Sequence, residues 1–214
     1  MIPGPVTLLI IAKEPVPGRA KTRLVPSYTP EEAATLARAA LSDTLDAVCA
    51  SPARRRVLVL DGNPGSWMPP GIDVLPQCGG GLDERLAAAF AACAGPTLLI
   101  GMDTPQVTPQ LLAPALAPEG MSGGRAWFGP AVDGGFWALG LPEPAPELLR
   151  GVPMSAPDTG AVQRQRLVDA GLQVCDLPTL RDVDTAHDAA LVAEAAPGGR
   201  FAAQVTRLSR AGVR

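Results

Sequence analysis

The chain has 214 residues, 47% hydrophobic and 18% charged, which suits one globular domain with a sizeable core and excludes a disordered chain. A net charge of -3 and a pI of about 5.2 leave no global field to draw it to nucleic acid or to an anionic membrane. Cys49, Cys78, Cys93 and Cys175 contain no CxxC pair, so reduced thiols in a cytoplasmic protein are expected.

Met1-Ile2-Pro3 lacks a basic n-region, and the apolar run Val6 to Ala12 is too short for a signal or a membrane span. That run is β-rich and continuously apolar, as in a strand covered on both faces. A Pro- and Gly-bearing loop follows over 13–29. Thr29-Pro30-Glu31-Glu32 then starts a helix that runs to about Ala50, with a cap, Pro at the first turn and acids against the dipole. Arg54-Arg55-Arg56 reads as a solvated edge before a second buried strand, Arg56 to Asp61. Ile72 to Pro76 is a short third strand, and Gly79-Gly80-Gly81 leads into a helix over Leu82–Ala94. Gly95-Pro96 splits the apolar stretch Leu86 to Ile100. Thr97 to Asp103 is a fourth strand, and Thr108-Pro109-Gln110 opens another helix.

Beyond 120 the pattern changes. Arg125–Pro130 and Gly135–Leu141 are strands joined by Asp133-Gly134-Gly135. A helix near Thr159–Ala170, a strand at Leu172–Leu177 and a helix opened by Asp182-Val183-Asp184-Thr185 follow. Alternating strands and helices predict an α/β fold, with helices on both faces of a mostly parallel sheet. Residues 1–196 are expected to form one domain. Residues 197–214 read as a C-terminal tail with a frayed amphipathic helical pattern.

Of the 18 Lys and Arg residues only Lys13 and Lys21 are lysines, and both lie in the loop after the first strand. The same loop holds Arg19, Arg23 and Gly18. In an open α/β sheet, ligands bind outside the carboxyl ends of the strands. Lysine offers a point charge and arginine a fork, and together they suit a polyphosphate. A Walker A loop is excluded because Ala20 precedes Lys21-Thr22 and Pro15 stands where the first Gly would be. The dinucleotide fingerprint GxGxxG is absent.

Gly101-Met102-Asp103-Thr104-Pro105 puts an acid at the end of an apolar strand. It can ligate a hard cation such as Mg²⁺ or serve as a turn carboxylate before Pro105. In an extended stretch Asp182 and Asp184 project to one side, and two carboxylates so placed repel unless a cation lies between them. Alternatively, one acid or Thr185 caps the next helix. On the metal reading, Asp103 with Asp182 and Asp184 is expected to form a split metal site. Asp133-Gly134-Gly135 is either a hairpin turn or a place where a ligand approaches the backbone. His187, the single histidine, reads as surface polar, and Trp127 and Trp137 as core.

Four stretches carry a resemblance. They are Ala12-Lys13-x-Pro15-x-Pro17-Gly18-x-x-Lys21-Thr22-Arg23-Leu24, Gly101-x-Asp103-x-Pro105, Gly129-Pro130-x-x-Asp133-Gly134-Gly135 and Asp182-Val183-Asp184-Thr185. Over about residues 5–195 they resemble the bacterial glycosyltransferase-A-like domain-of-unknown-function family (DUF2064-type). That family is similar to 2-phospho-lactate guanylyltransferase and, more remotely, to molybdenum-cofactor guanylyltransferase.

The resemblance implies a three-layer α/β/α nucleotide-diphospho-sugar transferase fold. It places nucleotide phosphates over Ala12, Lys13, Gly18, Arg19, Lys21 and Arg23. It puts Mg²⁺ (or Mn²⁺) on Asp103 with Asp182 or Asp184, and the acceptor at Asp133, Gly134 and Gly135. Lys21 and Asp103 are the candidate catalytic residues. The chain departs from the family at Gly80-Gly81-Leu82-Asp83-Glu84-Arg85, where Gly-Asp-Leu-Gly-Glu-Arg is usual. It departs also at Met154-Ser155-Ala156, where Trp-Ser-Thr is usual, and at Ala186-His187-Asp188, where Pro-Glu-Asp is usual.

The expected activity is nucleotidyl transfer from a nucleoside triphosphate to a small phosphorylated acceptor, with release of pyrophosphate. Glycosyl transfer from a nucleotide-diphospho-sugar and a non-catalytic nucleotide-binding domain are the alternatives. The expected partners are a nucleotide donor and a small-molecule acceptor, with no nucleic acid and no membrane. Nothing in the sequence speaks to the oligomeric state.

Overall fold

The computed structural model describes residues 5–211. The expectation at Met1-Ile2-Pro3, and the end of the C-terminal segment at 212–214, lie outside the described residues.

Among the described residues seven strands form one sheet: β1 (Thr7–Lys13), β2 (Arg55–Asp61), β3 (Asp73–Pro76), β4 (Thr97–Gly101), β5 (Arg125–Pro130), β6 (Phe136–Leu141) and β7 (Gln173–Asp176). Their spatial order is β3-β2-β1-β4-β6-β5-β7. β1 pairs in parallel with β2 and β4, β2 with β3, and β5 with β7. β6 runs antiparallel between β4 and β5. The Asp133-Gly134-Gly135 stretch allows this reversal. Gly134 takes φ 89°, and the turn closes with Gly134 N donating to Ala131 O and Ala131 N to Gly135 O.

Alternation along β1 divides the core. Leu8 and Ile10 face one side, with Leu41, Leu45 and Val48 of α1 (Pro30–Ala50) and Leu112 and Leu116 of α3 (Pro109–Leu116). Leu9 faces the other, with Leu86 and Phe90 of α2 (Leu82–Ala91) and Leu167 of α4 (Thr159–Asp169). This is the three-layer α/β/α arrangement that the alternating pattern predicts. α1 begins where the sequence signals it, with Thr29 and Glu32 in a reciprocal capping box.

Three expectations are corrected. β4 ends at Gly101 instead of Asp103, because the Lys13 N–H donates to Met102 Sδ at 3.1 Å and the ladder stops there. In the arginine run Arg54 and Arg55 are exposed as expected, and Arg56 is the exception. Arg56 donates to the carbonyls of Val48, Cys49 and Ser51 at the end of α1, and Arg55 pairs with Asp73 at 2.7 Å. The C-terminal segment forms α6 (Arg200–Ala211), which packs with α1 and α5 (Ala186–Ala195). It buries Phe201, Val205 and Leu208 instead of fraying. No described helix is long and apolar enough to cross a membrane, and all four cysteines are free.

Candidate functional site

Chain connections leave β1 and β4 in opposite directions, so a crevice opens at their carboxyl ends. A cleft of about 730 Å³ lies there. It gathers Ala12, Lys13, Arg19, Lys21, Arg23, Asp103, Asp133, Gly135, Asp182 and Asp184. Gly18 and Gly134 are not on its wall; both have positive φ (76° and 89°) and shape the turns that carry their neighbours.

The loop after β1 is pinned at both ends. Glu14 N donates to Asp61 O at 2.9 Å, and Glu14 Oε2 accepts from Asn63 N. Buried Ala20 and Leu24 hold the far end. Between them Lys21 adopts φ 54°, ψ 40°, an unusual conformation for a residue with a side chain. That twist points Lys21 inward, where its side chain is 7% exposed. Its Nζ lies 2.8 Å from Asp103 Oδ1 and 3.4 Å from Asp184 Oδ1. Arg23 Nη1 is 2.9 Å from Asp184 Oδ2, and Arg19 Nη2 is 3.1 Å from Asp61 Oδ1. Burial alone would lower the Lys21 ammonium, but the carboxylates of Asp103, Asp184 and Asp182 hold it above its ordinary value. Lys13 is exposed and forms no ion pair with any described residue.

The acids are positioned by backbone. Val183 N donates to Asp103 O at 3.1 Å, and Gln106 Nε2 to Arg181 O at 2.7 Å, so the segment before α5 lies against the β4–α3 loop. Buried Val183 separates Asp182 from Asp184. Capping falls to Thr185, whose side chain accepts from Asp188 N, and both acids are spared that task. Burial, together with the charges of Asp103 and Asp133, pushes the Asp182 carboxyl up to about 7, with Lys21 opposing. Its Oδ1 is buried without a hydrogen-bond partner among the described residues.

The opposite wall joins the β5–β6 turn to the segment before α4. Gly160 N donates to Gly134 O at 2.8 Å, and a Cβ at Gly134 would lie 2.0 Å from Pro157 O. Ser155 has φ 59°, and Thr159 Oγ1 donates to Pro153 O and accepts from Ala156 N. Asp133 Oδ1 accepts from Gly135 N at 2.9 Å. The Asp-Gly-Gly stretch is therefore both a hairpin turn and a wall of the cleft. Trp137 is core, with its indole N–H donated to Pro178 O. His187 is exposed.

The expected three-acid metal site is corrected in form. Among the described residues, no group of three or more His, Cys, Asp or Glu stands close enough to cage a metal. The Lys21 ammonium draws Asp103 and Asp184 to itself, and Asp182 is set deeper. The donor chemistry still fits Mg²⁺ or Mn²⁺, because Mg²⁺ commonly uses one or two carboxylates with substrate phosphate oxygens and water. The unpartnered Asp182 Oδ1 and its raised carboxyl are what a nearby divalent cation would relieve.

Gln77 and Arg85 also line the cleft, and the sequence alone assigns neither of them a role. The one hint was that Glu84-Arg85 keeps the family pattern within an otherwise altered segment.

The family described as "Uncharacterized protein conserved in bacteria (DUF2064)" matches residues 35–156, more than half of the chain, and the chain belongs to that family. No curated protein matches it. Among solved structures it is similar to a candidate nucleotide-diphospho-sugar transferase from Desulfovibrio desulfuricans G20. The identity is 25% and the TM-score 0.84, over 96% of this chain and 95% of that one. It shares the fold of Rv0371c from Mycobacterium tuberculosis H37Rv, solved in complex with manganese, at 21% identity and TM-score 0.54 over 91% and 100% of the two chains. It shares it also with 2-C-methyl-D-erythritol 4-phosphate cytidylyltransferase from Thermus thermophilus, at 20% identity and TM-score 0.54 over 89% and 98%.

Proposed function

We propose that this member of the family is a transferase with a nucleotide donor, which moves a nucleotidyl group from a nucleoside triphosphate to a small phosphorylated acceptor. The observation that carries this reading is Lys21. A strained backbone turn drives its ammonium into the crevice between β1 and β4, against Asp103 and Asp184. Nucleotidyl transfer among proteins of this fold, such as the cytidylyltransferase, agrees with it.

In this reading Lys13, Arg19, Lys21 and Arg23 bind the triphosphate and offset the charge that grows on the departing pyrophosphate. The turn at Asp133–Gly135 and the segment at Ser155 hold the acceptor on the opposite wall. An acceptor oxygen attacks the α-phosphorus in line, its new P–O bond forms, and the bond to the bridging oxygen of pyrophosphate breaks. The protein supplies position and charge and needs no nucleophile of its own. A divalent cation, held by Asp103 with Asp184 or Asp182, would polarise phosphate oxygens.

Glycosyl transfer from a nucleotide-diphospho-sugar is the second reading, favoured by the description of the Desulfovibrio protein. Pyrophosphate release across a panel of triphosphates and phosphorylated acceptors tests the first. Thermal-shift ranking of triphosphates against sugar nucleotides separates the two. If no nucleotide binds in the presence of Mg²⁺ or Mn²⁺, both readings fail.

A further inference from the structure

Gln77 and Arg85 line the cleft beside the start of α2, and the phosphate and metal roles above do not use them. Gln77 follows β3. Its Nε2 donates to Ala12 O at 2.7 Å and Val59 O at 3.1 Å, carbonyls at the carboxyl ends of β1 and β2. Its backbone N–H donates to Leu60 O at 3.0 Å. Two carbonyl acceptors fix which end of the amide is nitrogen, so Oε1 must turn away from the strands. It accepts from Arg85 Nη1 at 3.2 Å, while Arg85 Nε donates to Gly81 O at 3.3 Å.

Every one of these partners is neutral. Arg19, Lys21 and Arg23 in the same cleft are each held by a carboxylate, whereas Arg85 has no ion pair among the described residues. Among the described residues its Nη2 and one hydrogen of Nη1 are left as donors without a protein partner. Arg85 is thus a half-buried fork, fixed in direction and not neutralised. Leu82, three residues before Arg85, stands beside it on the same face of α2 and also lines the cleft, an apolar surface suited to the flat face of a heterocycle.

We propose that Arg85, steadied by Gln77, reads the nucleobase of the donor nucleotide and selects guanine over adenine. This rests on the nucleotide-donor reading above. A guanidinium only donates, so it needs two neighbouring acceptors on one base edge. Guanine presents them as O6 and N7, which match the fork. Adenine places an amino donor beside N7, so one N–H of the fork would face another donor.

The test is equilibrium binding of GTP, ATP, CTP and UTP with Mg²⁺ present, to the wild type, Arg85→Gln and Arg85→Lys. The wild type is expected to bind GTP at least about fivefold more tightly than ATP. Arg85→Gln is expected to erase that ratio by weakening GTP while ATP stays as it was. Arg85→Lys keeps the charge but not the fork, and is expected to lose the ratio as well. Equal binding of GTP and ATP by the wild type overturns the proposal. So does tightest binding of CTP or UTP, a uniform loss across all four in Arg85→Gln, or a ratio preserved in Arg85→Lys. The wild-type ratio decides even where a variant fails to fold. If none of the four binds the wild type, the donor reading itself has failed.

Discussion

Replacing Asp182 by Asn should make the metal-free protein more stable at alkaline pH, although it removes a residue of the candidate site. Burial and the neighbouring Asp103 and Asp133 charges raise the Asp182 carboxyl from 3.8 to about 7. Between these values the folded chain keeps a proton that the unfolded chain has lost. The slope of stability with pH is then negative: the contribution is complete below 3.8 and is lost as pH rises through about 7. A separation of this size corresponds to about 4 kcal/mol at most. Partial access to water reduces it, so about 2 kcal/mol, or roughly 4–8 °C in the melting midpoint, is the effect to seek. Lys21, Tyr28, Cys49 and Cys93 are all raised from values of 9 or more, and Asp188 and Asp83 are lowered from 3.8, so these shifts fall outside the window. The assay is thermal unfolding by circular dichroism in EDTA at pH 5.5 and pH 8.5. The wild type should lose stability between the two, and Asp182→Asn should lose much less. Parallel losses in the two proteins would refute the reasoning.

Lys21→Met should weaken triphosphate binding at least about tenfold, the usual scale for a lost charge-assisted contact. It should also cost about 1–2 kcal/mol of stability in urea unfolding, because the carboxylates it faces lose their partner while keeping access to water. Thr185→Ala should cost about 1 kcal/mol, the loss of a helix cap, and leave nucleotide affinity within about twofold. A fall in affinity as large as that of Lys21→Met would place Thr185 in the site.

The fold was legible because its strongest signals are local. β1, β2 and β4 are continuous apolar runs, and Thr29-Pro30 and Thr108-Pro109 mark helix starts that the structure keeps. The two sides of the cleft were legible as charge placed just past strand ends. What could not be read was pairing. Lys21 and Asp184 are 163 positions apart, and nothing in Ala-Lys-Thr-Arg announces that the lysine turns inward by a left-handed backbone step. Arg56 looked like one of three equivalent surface cations until the end of α1 arrived beside it. Gln77 and Arg85 escaped notice because a recognition fork needs only one arginine and a fixed partner. Neither has a spacing that stands out from composition.

Charge in the cleft leads to a last consequence. Lys13, Arg19, Lys21, Arg23 and Arg85 meet Asp103, Asp133, Asp182 and Asp184, so positive and negative groups nearly balance. Lys21, which is buried, and Arg23, which is exposed, are already engaged by Asp103 and Asp184. A triphosphate can draw them away only by leaving those carboxylates facing one another. A divalent cation supplies the compensation that the lysine then withdraws. Metal and nucleotide binding should therefore be coupled, and linkage requires the coupling to be reciprocal. Triphosphate affinity should rise roughly 5–150-fold in Mn²⁺, and Mn²⁺ affinity should rise by the same factor with nucleotide bound. Calorimetric titrations in both orders, corrected for the metal–nucleotide complex in solution, measure the two factors. If each ligand binds as well without the other, the ion pairs of Lys21 and Arg23 do not compete with ligand, and the phosphate role drawn from their position is wrong.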